Sequence, residues 1–191
     1  MSVPFVLSGL LFCDIIKTVM RMEELKNRKT TRLHGANYNC TGVYFLTLCT
    51  QNRQCLLSRI VGTGVPDGPS IELLQYGKIA DKYINQLNDF YDFINIEKYV
   101  IMPNHIHLLL QVKSPPNGPS RTPVPTVIQN SVVSRFVSTF KRFCNKEYGK
   151  NIWQYRSNDH IIRNKKDYEE HLKYILENPI QWHYDELYSD K

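Results

Sequence analysis

The sequence predicts an α+β domain in which helices cover an antiparallel sheet, and three observations carry that expectation. Runs rich in β-branched and aromatic residues alternate with stretches whose apolar residues recur every three and four positions. A tight turn at Pro103-Asn104 joins two of the strand-like runs into a hairpin. The resulting order, β-α-β-β-α-β-α, is the ferredoxin-like split βαβ pattern with one further helix at its end. It predicts a sheet with helices on one face.

Gly42-Val-Tyr-Phe-Leu-Thr-Leu-Cys-Thr50 reads as a buried strand, and Gly62 to Pro69 as a turn-rich loop. Ile71 to Phe90 is expected to be helical, because Tyr76, Ile79, Ala80, Tyr83, Ile84 and Leu87 share one face at the helical period. Ile94 to Met102 and His105 to Val112 are the strands of the hairpin. Residues 113–125 hold five prolines and read as a flexible connector. Thr126 to Tyr148 is a long helix closed by Gly149, with Val133, Phe136, Val137, Phe140 and Cys144 facing the core. Asp159 to Arg163 is a short fourth strand. Asn164 caps the last helix, with Asp167 three residues on, and Pro179 closes it at Asn178.

The chain has 191 residues, enough for one domain with a sizeable core. We place that domain at 27–188, after an extension at 1–26. The apolar run from Val3 to Phe12 lacks the positive flank and the cleavage site of a signal peptide. An upstream start at which translation does not begin explains it best, and an apolar arm docked on the domain second. The five cysteines form no C-x-x-C pair, which disfavours a zinc ribbon, a thioredoxin-like motif and a disulfide framework. No apolar run reaches the ~18 residues of a membrane span. A reduced, cytoplasmic protein without membrane contact is expected.

The chemistry begins on the third strand. Ile106, Leu108, Leu110 and Val112 share one face and must be core, which leaves His105 and His107 on the other. Two imidazoles on one side of one strand, about 7 Å apart at Cα, can converge on one ion. The plainer alternative is a pair of polar residues on a solvated sheet face. The absence of H-x-H-x-D-H, of a third alternate histidine, of P-C-x-x-C and of a P-loop removes several other phosphate and metal chemistries.

The last helix supplies a second stripe. Tyr168, Leu172, Ile175 and Leu176 fall on its core side, whereas Asp167, His171, Tyr174 and Asn178 form a ridge of their own. A carboxylate, an imidazole, a phenol and an amide in line resemble the edge of an active site. A polar helix flank is the alternative.

Charge is the third clue. The chain carries 24 Lys and Arg against 18 Asp and Glu, and ten basic residues face five acidic ones between Arg135 and Lys173. Arg135, Arg142, Lys146 and Arg163, with the ring of Trp153 for stacking, suit a nucleic-acid backbone; a solvated face explains the helical ones equally well.

Taken together, Val100-Ile-Met-Pro-Asn-His-Ile-His-Leu108, Ile152-Trp-Gln154, Asp159-His-Ile-Ile-Arg-Asn164 and Tyr174-Ile-Leu-Glu-Asn-Pro179 resemble the HUH single-tyrosine transposases, in the REP-associated branch. The resemblance runs from about residue 27 to 188. It implies an HUH endonuclease fold plus a C-terminal helix, acting on single-stranded or hairpin DNA through a 5′-phosphotyrosine intermediate. By the same resemblance Tyr174 is the nucleophile, and His105, His107 and Asn178 hold Mg2+ or Mn2+. His171, one turn before Tyr174, is a candidate to orient or deprotonate the phenol. Imidazole donors favour manganese over magnesium. A monomer is favoured and a dimer is the other form the family takes. Two further readings stand beside this one: a non-catalytic nucleic-acid-binding relative, and a metal-dependent phosphoesterase that uses activated water.

Overall fold

The structure is a computed structural model that describes residues 41–62, 69–113 and 131–189. The extension at 1–26, residues 114–125 of the connector and residues 126–130 of the expected helix lie outside the described residues.

Six strands and three helices form among the described residues. They are β1 (Gly42–Cys49), β2 (Ser58–Val61), β3 (Ser70–Leu73), α1 (Gln75–Phe90), β4 (Ile94–Ile101), β5 (His105–Val112), α2 (Val132–Tyr148), β6 (Asn158–Ile161) and α3 (Lys165–Glu177). The main sheet runs β4-β5-β1-β6, with every neighbouring pair antiparallel. This is the ferredoxin-like arrangement expected from the order of elements.

The period of two sorts the sheet residues onto two faces. Tyr44, Leu46 and Leu48 of β1 join Ile106, Leu108, Leu110 and Val112 of β5 in the main core. There they meet Ala80, Ile84 and Leu87 of α1, and Val133, Phe136, Val137, Phe140 and Cys144 of α2. Each fully buried Val, Leu, Ile or Phe side chain among these contributes about 1.5–3 kcal/mol through removal from water. Ser131 caps α2 by accepting from the Ser134 N–H, and Gly149 ends it at φ 71°, a left-handed conformation that favours glycine.

The expectation of helices on one face holds for α1 and α2 only. Helix α3 lies on the other face, where Ile175 and Trp182 pack with Val100, Met102 and Leu109 in a second cluster. Three residues of its expected core stripe, Tyr168, Leu172 and Ile175, pack in that cluster, and the fourth does not. Leu176 is 54% exposed, whereas Asn178 is buried beside Ile175. The sheet face beneath α3 carries the two histidines, and at its C-terminal end the helix buries the Asn178 amide and leaves Leu176 outside.

A second correction concerns Ile71 to Leu73, which pair with β2 as strand β3 and do not begin the helix. Helix α1 starts at Gln75, and Gly77 in its first turn sits against the Leu57 carbonyl. A Cβ at position 77 would lie 2.0 Å from that oxygen. Gly77→Ala is therefore expected to cost about 2–3 kcal/mol of stability, read as a lower urea midpoint with unchanged slope. An unchanged midpoint would show that α1 shifts freely.

Candidate active site

The hairpin β4–β5 sets the first half of the site. The Thr50 N–H and hydroxyl both donate to the Asn104 carbonyl, at 2.9 and 3.0 Å, and fix the turn against β1. His105 and His107 then project from β5 to the α3 side, with ring centroids 4.4 Å apart. Both are buried, which removes the alternative of two polar residues on a solvated sheet face.

Each imidazole is oriented through its Nδ1. That of His105 donates to Asn104 Oδ1 at 2.8 Å, and that of His107 lies 2.9 Å from the Thr47 hydroxyl across the strand pair. Both Nε2 atoms are buried without a hydrogen-bond partner, and so is Asn178 Oδ1. Buried polar atoms left unsatisfied in the interior are costly, and a cation shared by the two imidazoles would offset that cost. An outer partner on Nδ1 that fixes the tautomer of a metal-ligating histidine is the usual arrangement. The residues thus fit a divalent ion.

Asp185 completes this cluster, and nothing in the sequence singled it out. It lies past the end of α3, with its carboxylate close enough to His105 and His107 for all three to share one ion. The Tyr174 hydroxyl donates to Asp185 Oδ2 at 3.0 Å, and Asn178 Nδ2 donates to the same oxygen at 2.7 Å. The Leu187 N–H donates to Oδ1 at 2.6 Å. The segment is held in place by Asn104 Nδ2 on the Leu187 carbonyl and by Arg53 on the Glu186 carbonyl, each at 2.8 Å. Trp182 and Tyr188 flank it as aromatic anchors.

Tyr174 is 40% exposed, and its ring packs 5.1 Å from that of His107. It opens onto a cleft of about 430 Å³ lined in part by Phe45, Thr47, His107, Asn158 and His171. His171 does not hold the phenol. Its Nδ1 lies 2.8 Å from the Asp167 carbonyl and 3.1 Å from that residue's carboxylate, while its ring stacks on His160. The hydrogen bond expected of His171 is made by Asp185, because His171 sits one turn back and is drawn towards the start of α3.

The charge balance of the site follows from its burial. Burial pushes the His105 imidazole down to about 4, against the opposing pull of Asp185. His107 is held well below its ordinary value by burial and then by His105 and His171. The Tyr174 phenol is raised, first by burial and then by the charge and hydrogen bond of Asp185. Without a divalent ion, an unfolded histidine takes a proton near pH 6.5, but folded His105 stays neutral until about 4. Below pH 6.5 the unfolded chain therefore binds more protons and gains on the native state. His105 alone should lower stability by about 2 kcal/mol between pH 7.5 and 5, with His107 adding in the same direction, seen in urea unfolding with a chelator present. A flat profile over that window would mean the pair is protonated in the fold.

The expected nucleic-acid contacts separate. Arg163 is exposed just ahead of α3, and its backbone N–H donates to Asp167. Arg135, Arg142 and Lys146 are exposed on α2, which covers the sheet face opposite the histidines. Trp153 is 1% exposed and packs on Phe140 in the core, so it offers no face for stacking. The bridge between Thr50 and Trp153 draws that ring inward. Tyr155, 96% exposed, is the neighbouring ring that faces solvent.

Fold and site define the class: a ferredoxin-like module in which a buried histidine pair on one strand faces a tyrosine on a terminal helix. No family model matches the chain. An uncharacterised protein of Haemophilus influenzae is 31% identical over 178 residues, which cover 87% of this chain and 96% of that protein. A REP-associated tyrosine transposase of Escherichia coli is 34% identical over 86 residues, or 45% of this chain and 44% of that one. A putative REP-associated tyrosine transposase of Haemophilus influenzae is 34% identical over 94 residues, 47% and 52% of the two chains. The match thus spans about half the length of these two named relatives. A solved structure of a REP-associated tyrosine transposase bound to a REP hairpin shares the fold, with TM-score 0.53 at 24% identity over 78% of this chain and 74% of that one. Over about half its length the chain is thus similar in sequence to REP-associated tyrosine transposases, and it shares the fold of one of them.

Proposed function

We propose that the protein cleaves and rejoins single-stranded, hairpin-containing DNA, with Tyr174 as nucleophile and a divalent ion held by His105, His107 and Asn178. The observation that carries this reading is the set of three buried, unsatisfied atoms, two Nε2 and one Oδ1, in the cluster that adjoins the Tyr174 hydroxyl. Asp185 adds the one negative charge to that donor set. Mg2+ and Mn2+ are the ions proposed, and the two imidazoles favour Mn2+.

A phenol with a raised proton affinity is a poor nucleophile until the proton has somewhere to go. Here its acceptor is the Asp185 carboxylate. As the Tyr174 oxygen bonds to the scissile phosphorus, the bond from phosphorus to the 3′ oxygen breaks. The phenol proton passes to Asp185, and the 3′ oxygen leaves as a free hydroxyl by taking a proton from solvent water. A divalent ion held by His105, His107 and Asn178 would supply Lewis-acid polarisation of the phosphate. The phosphotyrosyl ester retains the strand, so rejoining by the 3′ hydroxyl needs no ATP.

Arg163 and Tyr155, both exposed, are proposed as backbone and stacking contacts. Arg135, Arg142 and Lys146 are proposed to attract flanking DNA through its phosphates, a contribution that weakens with salt. A cytoplasmic monomer is the form we propose. Incubation with an end-labelled hairpin oligonucleotide and Mn2+, followed by denaturing electrophoresis, tests the reading. A denaturation-resistant protein–DNA species is expected. Cleavage without that species would favour activated water as the nucleophile, and binding without cleavage a non-catalytic role.

A further inference from the structure

We infer that His160, Asp167 and His171 form a second divalent-ion site, separate from the His105–His107 cluster, that takes a zinc-class transition ion and not magnesium. His160 comes from β6, while Asp167 and His171 stand one turn apart on α3. His160 Nε2 lies 3.0 Å from both carboxylate oxygens of Asp167, and His171 Nδ1 lies 3.1 Å from one of them. The three donor atoms all fall within 4.8 Å of one another. An ion with bonds of about 2.0–2.2 Å sets neighbouring donors ~3 Å apart, so this spacing already matches the edge of a coordination polyhedron.

The donors are pre-oriented from outside. Asp167 accepts from the Arg163 N–H at 2.9 Å, and its own N–H donates to the Asn164 cap at 2.9 Å. The two rings stack with centroids 4.7 Å apart and planes 13° from parallel. All three side chains are partly exposed, which leaves both an entry path and room for water ligands. Each imidazole reaches the ion by moving its N–H to the other ring nitrogen, and His171 gives up its contact with the Asp167 carbonyl. Two imidazoles and one carboxylate suit Zn2+, Co2+ or Mn2+, whereas magnesium prefers oxygen donors. The ion would clamp the edge strand to the helix that carries Tyr174.

This inference does not rest on the DNA-cleavage reading. Zn2+ titration of the full chain by calorimetry tests it, with His160→Asn and His105→Asn as the two variants. Two equivalents are expected in the unaltered chain, and one in each variant. A single equivalent that His160→Asn abolishes and His105→Asn spares would still support the second site, and would count against the first. Unchanged stoichiometry in His160→Asn, or a lone equivalent lost only in His105→Asn, would overturn it. Should the buried His105 variant fail to fold, nitrogen NMR of the histidines in the unaltered chain gives the answer. The ligating nitrogens of His160 and His171 are expected to shift with added Zn2+, and stationary signals overturn the site.

Discussion

Replacing Tyr174 with phenylalanine is expected to abolish the covalent protein–DNA species, a loss of about 10³-fold or more in strand cleavage. The substitution removes one oxygen from a ring that is 40% exposed, so the fold has little to lose. Its hydroxyl has a single hydrogen-bond acceptor, Asp185, and that carboxylate keeps its bonds to Asn178 and to the Leu187 N–H when the phenol is gone. DNA binding should therefore persist in a mobility-shift assay while the covalent band disappears. Persistence of that band would transfer the nucleophile to another residue. Tyr168, packed in the second cluster, and Tyr184, outside the hydrogen-bonded network, are poorly placed for that role.

Asp185→Asn is expected to weaken Mn2+ binding by about 10–100-fold. The other donors, two neutral imidazoles and an amide, carry no charge, so this substitution removes all the formal attraction in the set. An amide is nearly the same size and can still accept from the phenol, which keeps the effect electrostatic. Calorimetric titration with Mn2+ measures it. Unaltered affinity would show that the carboxylate serves the phenol alone and stands outside the ion's ligands.

Periodicity explains which parts of this site could be seen in the chain beforehand. His105 and His107 share a face because strands alternate, and Tyr174 and Asn178 share one because they stand one helical turn apart. Those rules hold within an element and stop at its end. Asp185 follows Pro179 in a segment without a repeating pattern, so no spacing linked it to Tyr174. The burial of the histidine pair escaped for the same reason, since the cover over that sheet face comes partly from Trp182 and Tyr188 in the same tail. Those two aromatic residues were the available signal, because large rings beyond a final helix need a surface to cover. Trp153 misled in the opposite direction: a ring beside basic residues reads as a stacking platform, but an isolated bridge to Thr50 turns it into the core. The β2–β3 pair was hidden because Ile71 and Leu73 fit a helical and a strand period equally well over so short a stretch.

The network around Asp185 also bears on how many copies of the chain one reaction centre needs. Phenol and acceptor are separated by only eleven residues, so they travel together if the helix moves. Only Ile162 to Asn164 connect β6 to α3, and the Ile162 N–H is already committed to the Val43 carbonyl at 2.9 Å. A tether that short cannot hand the helix to a neighbouring molecule while its strand stays behind. If each molecule works alone, as proposed, turnover per chain is expected not to fall as the protein is diluted.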